Sequence, residues 1–196
     1  MIRSFIAVDL DAGARARLSE FQERLRSILK REPIRWVRSE GIHLTLKFLG
    51  NQTAVRLEEI ESLLRTHARE GEAYPLAIAG VGFFPHPGNP RVVWAGIREA
   101  SGALARWAGG LDGLLASAGI EPERRPFQPH LTLGRFKDRL SPEGRRRLEA
   151  ELADLESATI AESMARSVDL IRSDLRPEGP VYSVLAHVPL GSGAGL

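Results

Sequence analysis

His43-Leu44-Thr45-Leu46 and His130-Leu131-Thr132-Leu133 are the same four residues written twice, 87 positions apart. In a strand, successive side chains point to opposite faces. Each tetrad therefore sets His and Thr on one side and its two leucines on the other. The leucines can pack against helices, whereas the His/Thr faces have no such packing role. By strict alternation Lys47 joins the His43 face.

The surroundings of the tetrads repeat as well. Arg3 to Leu10 reads as a strand ending at acidic residues. Leu18, Phe21, Leu25, Ile28 and Leu29 fall at helical spacing up to Pro33. A short strand at Ile34 to Val37 precedes the first tetrad strand, Ile42 to Leu49. A helix follows over Thr53 to Arg69, then strands at Tyr74 to Phe84 and Arg91 to Ile97, divided by a Pro-rich turn. In the second half, Leu104, Trp107, Leu111, Leu114 and Leu115 mark a helix before the second tetrad. Another helix spans Ser141 to Leu155, and strands are expected over Ser163 to Ile171 and Val181 to Pro189. Gly179-Pro180-Val181-Tyr182 echoes Asn89-Pro90-Arg91-Val92. The fold class expected is α+β, a duplicated bilobal fold with two mainly antiparallel sheets, flanking helices and a central cleft. Residues 1–190 form the domain, and 191–196 a flexible tail.

Composition narrows the chemistry. The 196 residues carry no cysteine, which removes thiolate nucleophiles, disulfides and Cys-ligated metals. No apolar run approaches the ~20 residues of a membrane helix, and the first residues read as a strand rather than a leader. No membrane association and a cytoplasmic location are the expectation. A net charge of +2 argues against a binder of long duplexes held by backbone charge. Lys30, Lys47 and Lys137 are the only lysines among 27 basic residues; base composition alone can produce that bias.

Two His/Thr faces meeting across a cleft suit a phosphate diester. Displacement at phosphorus needs a base on one side and an acid on the other, and imidazole serves both near neutrality. A hydroxyl two residues along points the same way and can donate to a non-bridging oxygen. One His-x-Thr in a strand is ordinarily structural, but two copies at equivalent places of a duplication are not. No Asp or Glu shares these faces to complete a metal triad, so neither metal nor cofactor is expected.

The chain resembles the 2H phosphoesterase superfamily, and within it the RNA 2′,3′-cyclic phosphodiesterases once called 2′-5′ RNA ligases. The resemblance lies in Arg3-Ser4-Phe5-Ile6-Ala7-Val8, Arg35-Trp36-Val37, His43 to Gly50, Pro90 to Trp94, Phe127 to Arg135 and Gly179 to Tyr182. It implies metal-independent hydrolysis of an RNA or nucleotide 2′,3′-cyclic phosphate to a 2′-phosphate in a groove between lobes. His43 is then the donor to the leaving oxygen and His130 the base. Thr45 and Thr132 hold phosphate oxygens, with Arg135 as a further phosphate contact, provided Gly134 bends the strand. ATP-independent 2′-5′ end joining and non-catalytic RNA-end binding are the alternatives. The substrate partner is an RNA 2′,3′-cyclic phosphate end or a cyclic nucleotide, and a monomer is expected.

Other residues carry less. Phe48, Phe127 and Trp36 are candidates to stack on a base. His67 and His86 read as solvated, His187 as structural, and Arg145-Arg146-Arg147 as a charged helix face.

Overall fold

The computed structural model describes residues 1–99, 101–177 and 179–191. In chain order they form β1 (Ile2–Val8), α1 (Ala12–Ile28), β2 (Ile34–Trp36), β3 (Leu44–Gln52), α2 (Ala54–Arg69), β4 (Tyr74–Phe84) and β5 (Val92–Arg98). The second half continues with α3 (Ala103–Ser117), β6 (His130–Phe136), α4 (Pro142–Ser157), β7 (Thr159–Ala165), β8 (Ser167–Arg176) and β9 (Gly179–Pro189). Three helices start where a short polar side chain closes the first turn. Asp11, Thr53 and Ser141 accept from the amides of Ala14, Arg56 and Gly144, satisfying donors that a helix start otherwise leaves open.

The two expected sheets are the halves of one nine-stranded sheet. Its order is β7-β4-β5-β6-β3-β1-β8-β9, with β2 beside β6. Every pairing among the described residues is antiparallel. Exchanging β1 with β5, β3 with β6, β8 with β4 and β9 with β7 reproduces that order reversed, as a duplication with pseudo-twofold symmetry requires.

The halves of the sequence are nevertheless not the halves of the sheet. β4, from the first half of the chain, pairs with β5 and β7 on the far side, whereas β8 returns to lie against β1. Helices α1 and α4 pack on β7 and β4, and α2 and α3 on β9, β8 and β3. The first repeat thus lends α1 and β4 to the other lobe, and the second lends α3, β8 and β9. The lobes share one core, in which Ile6, Leu18, Leu44, Ile60, Ile78, Leu111 and Leu131 are completely buried.

Two expectations need adjusting. The single strand predicted over Ser163 to Ile171 is two, β7 and β8. β7 is an edge strand whose outer residues stay in water, so its apolar periodicity is weak. In the tail, Gly191 donates its amide to the Ala68 carbonyl at 3.1 Å; residues 192–196 lie outside the described residues.

Candidate active site

The two tetrads meet where the halves of the sheet join. Leu44 of β3 pairs with Leu131 of β6, both fully buried. Carried one residue either way, that antiparallel register sets His43 across from Thr132 and Thr45 across from His130. Residues opposite each other in a sheet share a face. Four polar side chains therefore gather on the face that the helices leave uncovered, as expected from sequence. Neither threonine hydroxyl is engaged by another group among the described residues.

The His130 Nδ1–H donates to the carbonyl of Gln128, two residues before it, at 2.7 Å, which leaves Nε2 without a hydrogen-bond partner among the described residues. The corresponding Gly41 carbonyl, two residues before His43, lies where it favours the protonated form of that imidazole. The turn leading to His43 is held further by Arg15 of α1, which donates to the Ser39 and Ile42 carbonyls and pairs with Asp9.

The aromatic settings differ. His43 stacks on Phe5 at 4.6 Å with rings 25° apart and meets the edge of Tyr182 at 5.1 Å. Phe5, Ala7 and Ile171 form a small apolar cluster of their own with Tyr182. Burial pushes the His43 imidazole down to about 4; the Gly41 carbonyl and the Asp9 charge only partly oppose it. His130 instead meets the edge of Phe84 at 5.1 Å and lies 6.0 Å from Trp94. Trp94 lies across Gly82, where a Cβ would stand 2.0 Å from the indole. Beside it a hollow of ≈ 310 Å³ is lined by Trp94, Gly96, Arg98, Gln128 and Pro129, among others.

A bulge ends each tetrad. On β1, Ile6 faces Lys47 but Ala7 faces Thr45, so Leu46 is an extra residue. On β5, Val93 faces Gly134 but Trp94 faces Thr132, so Leu133 is extra. An extra residue inverts the alternation beyond it. Lys47 consequently leaves the His43 face, contrary to the sequence expectation. It is 4% exposed, pairs with Asp112 and donates to the Glu121 carbonyl at 2.7 Å. Phe48 turns outward in its place. In the other lobe, Phe136 turns into the core and Arg135 out.

Arg135 thus reaches the tetrad side, and Gly134 is the hinge of that change. A Cβ there would come within 2.8 Å of Ile34 and 3.0 Å of Trp36. Arg135 has no carboxylate partner among the described residues. Its charge and that of Arg3 reach the Tyr182 phenol, which burial otherwise pushes up. Arg3 shares the Phe5 face of β1 and is a cation that sequence reasoning did not single out for a role. Gln22 was missed too. Buried on α1, it donates to the carbonyls of Val37 and Leu133, both at 2.9 Å, and so closes the gap beside the second bulge. A polar residue inside an otherwise apolar helix stripe was its only signal.

The remaining histidines stand apart. His67 packs between helices on Trp107 and bonds its carbonyl at 3.0 Å, so it is not simply solvated. His187 bonds Asp169 at 2.7 Å. No group of three His, Asp or Glu side chains among the described residues is placed to hold a metal ion. No helix is long and apolar enough to cross a membrane.

The duplicated site has a counterpart among known proteins. Residues 8–94 and 96–182 each match the family model described as LigT like Phosphoesterase, and each match contains one tetrad. The chain belongs to the LigT-like phosphoesterase family. A relative from Methanothermobacter thermautotrophicus named RNA 2′,3′-cyclic phosphodiesterase is 36% identical over 184 residues, 93% of this chain and 95% of its own. One of the same name from Thermus thermophilus is 36% identical, covering 96% and 90%. Among solved LigT-like folds, TT0787 of Thermus thermophilus superposes with a TM-score of 0.79 at 31% identity, over 97% of this chain and 98% of that one. LigT of E. coli complexed with 3′-AMP shares the fold, with a TM-score of 0.75 at 24% identity, over 96% and 98%.

Proposed function

We propose that this LigT-like phosphoesterase hydrolyses RNA 2′,3′-cyclic phosphate ends, or the corresponding cyclic nucleotides, to 2′-phosphates. The observation that carries the reading is the join at Leu44 and Leu131, which sets both imidazoles and both threonine hydroxyls around one small space. The names of the relatives point the same way. Both tetrads come from one chain, which supports a monomer as the working unit, and an RNA-end substrate is in keeping with a cytoplasmic location.

In this reading His130 is the base. Its Nδ1–H is held by Gln128, so Nε2 can take a proton from water as the water oxygen bonds to phosphorus. The P–O3′ bond breaks, and His43 gives its proton to O3′. Thr45, Thr132 and Arg135 hold the non-bridging oxygens, where negative charge grows in the transition state. His43 in the open cleft is neutral above about pH 4. Its donor role therefore depends on the substrate, whose negative phosphate favours the imidazolium beside it.

Incubation with an oligonucleotide bearing a 2′,3′-cyclic phosphate tests this directly. A 2′-phosphate product is expected. A 2′-5′-joined product would transfer the site to end joining, and an unchanged substrate that still binds would make the protein an RNA-end binder.

A further inference from the structure

The two tetrads are identical, yet displacement at phosphorus needs one protonated imidazole and one neutral one. The difference must come from what surrounds them. β1 and β5 occupy equivalent places beside the tetrads, so the duplication lets them be compared residue by residue. On β5, Trp94 faces Thr132, Ala95 faces Leu131 and Gly96 faces His130. On β1, Ala7 faces Thr45 and Val8 faces Leu44, so the next residue, Asp9, comes opposite His43. Where one histidine meets a glycine, the other meets a carboxylate. The backbone enforces this contrast. A Cβ on Gly96 would stand 2.7 Å from the Ala79 carbonyl oxygen, so β4 approaches too closely for the second lobe to carry a side chain there.

The charge of Asp9 favours the protonated His43 ring, and its attraction exceeds the repulsion from Arg15, the cation that pairs with it. Arg15 also donates to the Ser39 and Ile42 carbonyls, which anchors the pair to the turn that carries His43. The remaining ionisable groups around the ring come from other strands. Tyr182 of β9 meets it edge-on and feels the charges of Arg135 and Arg3. Asp169 of β8 lies beside Ala7 and is bonded to His187, and His130 stands diagonally across the join. We propose that Asp9 is the positioning residue that makes the lobes unequal: its carboxylate keeps the proton on His43 during the displacement, so that His43 and not His130 is the acid. The proposal rests on the cyclic phosphodiesterase reading and says why its acid and base are not interchangeable.

Asp9→Asn keeps the shape of the side chain and removes its charge. Ring-carbon NMR of the free protein should show His43 titrating about one pH unit lower than in the parent. Arg15→Gln should move it in the opposite direction, and Asp9→Glu should keep it close to the parent. On adenosine 2′,3′-cyclic phosphate, kcat of Asp9→Asn should fall about tenfold at the alkaline end of the profile, where protonated His43 is scarce, and approach the parent toward acid. A carboxylate that merely ties down the Arg15 turn would lower kcat by one factor at every pH and leave the His43 titration unmoved; that result overturns the proposal. A kcat raised above the parent toward acid would make His43 the base and overturns it as well. If the parent hydrolyses no cyclic compound, the catalytic reading fails, while the His43 titration still decides whether Asp9 holds a proton on that ring.

Discussion

Leu44 and Leu131 pair directly with each other, and theirs is the only register point between β3 and β6. Each is the second residue of its tetrad, and each is fully buried. That register makes His43 and His130 diagonal neighbours on adjacent strands, about 7–8 Å apart, and one shared core holds both strands in place. The site is assembled by folding.

A base and an acid that act in one displacement fail together. His43→Ala and His130→Ala should each lower kcat by about 10² to 10⁴-fold. The double variant should be little worse than the slower single one, because residues acting as a unit are not additive. Steady-state rates of all three on a cyclic nucleotide check this. A double variant slower by the product of the two single losses would show that the histidines act independently.

Burial of His43 links stability to pH. The folded imidazole titrates at about 4, against 6.5 for the exposed group. Between these values the unfolded chain binds a proton that the folded one refuses, so this contribution to stability falls as pH drops from about 6.5 to 4. The full loss is about 3 kcal/mol, at 1.36 kcal/mol per unit. Denaturant midpoints at pH 7 and 4.5 should differ less in His43→Asn than in the parent. Equal differences would remove His43 as the cause.

Substrate should reverse that refusal. Adenosine 2′,3′-cyclic phosphate bound to the His130→Ala variant at pH 6 brings a diester anion with no titration of its own near neutrality. If His43 is the donor, binding takes up close to one proton, visible as a dependence of calorimetric heat on buffer ionisation enthalpy. Binding without uptake would assign the base role to His43.

The tetrads, the α+β class and the cleft were legible because they rest on alternation and on repetition. What alternation hid was its own interruption. A bulge adds one residue without a sequence signature, so strict alternation put Lys47 on the His43 face and Phe48 on the leucine face; the structure exchanges the two. Arg135 was recoverable because Gly134 marked a possible bend. The exchange of β4 and β8 between lobes was not legible, since local periodicity says nothing about which distant strand is the neighbour. β7 was merged with β8 because an edge strand half in water carries little apolar pattern.

Trp94 depends on the missing side chain of Gly82. A methyl group there would stand 2.0 to 2.4 Å from the indole, so Gly82→Ala must displace the ring, and with it the support of Phe84 and His130. A loss of about 1–3 kcal/mol in stability is expected, with an altered near-UV spectrum. Activity should fall through kcat, because His130 is what shifts. A change in stability with unaltered kcat would mean that Trp94 does not position His130.

Arg135 offers the cleft a guanidinium that no carboxylate neutralises among the described residues. A hydrogen bond to a charged group contributes about 1.5–3 kcal/mol. Arg135→Ala should therefore lower kcat/KM for cyclic substrates by about 10- to 100-fold, with little effect on the thermal midpoint, since the side chain is exposed. Arg135→Lys should recover only part of this, because an ammonium keeps the charge but cannot bind two oxygens in a fork. If Arg135 serves the phosphate, base-bearing and base-free substrates should suffer alike. Full activity in Arg135→Ala would leave the phosphate to the threonines and to Arg3, the other cation near Tyr182, and Arg3→Ala would then carry the loss.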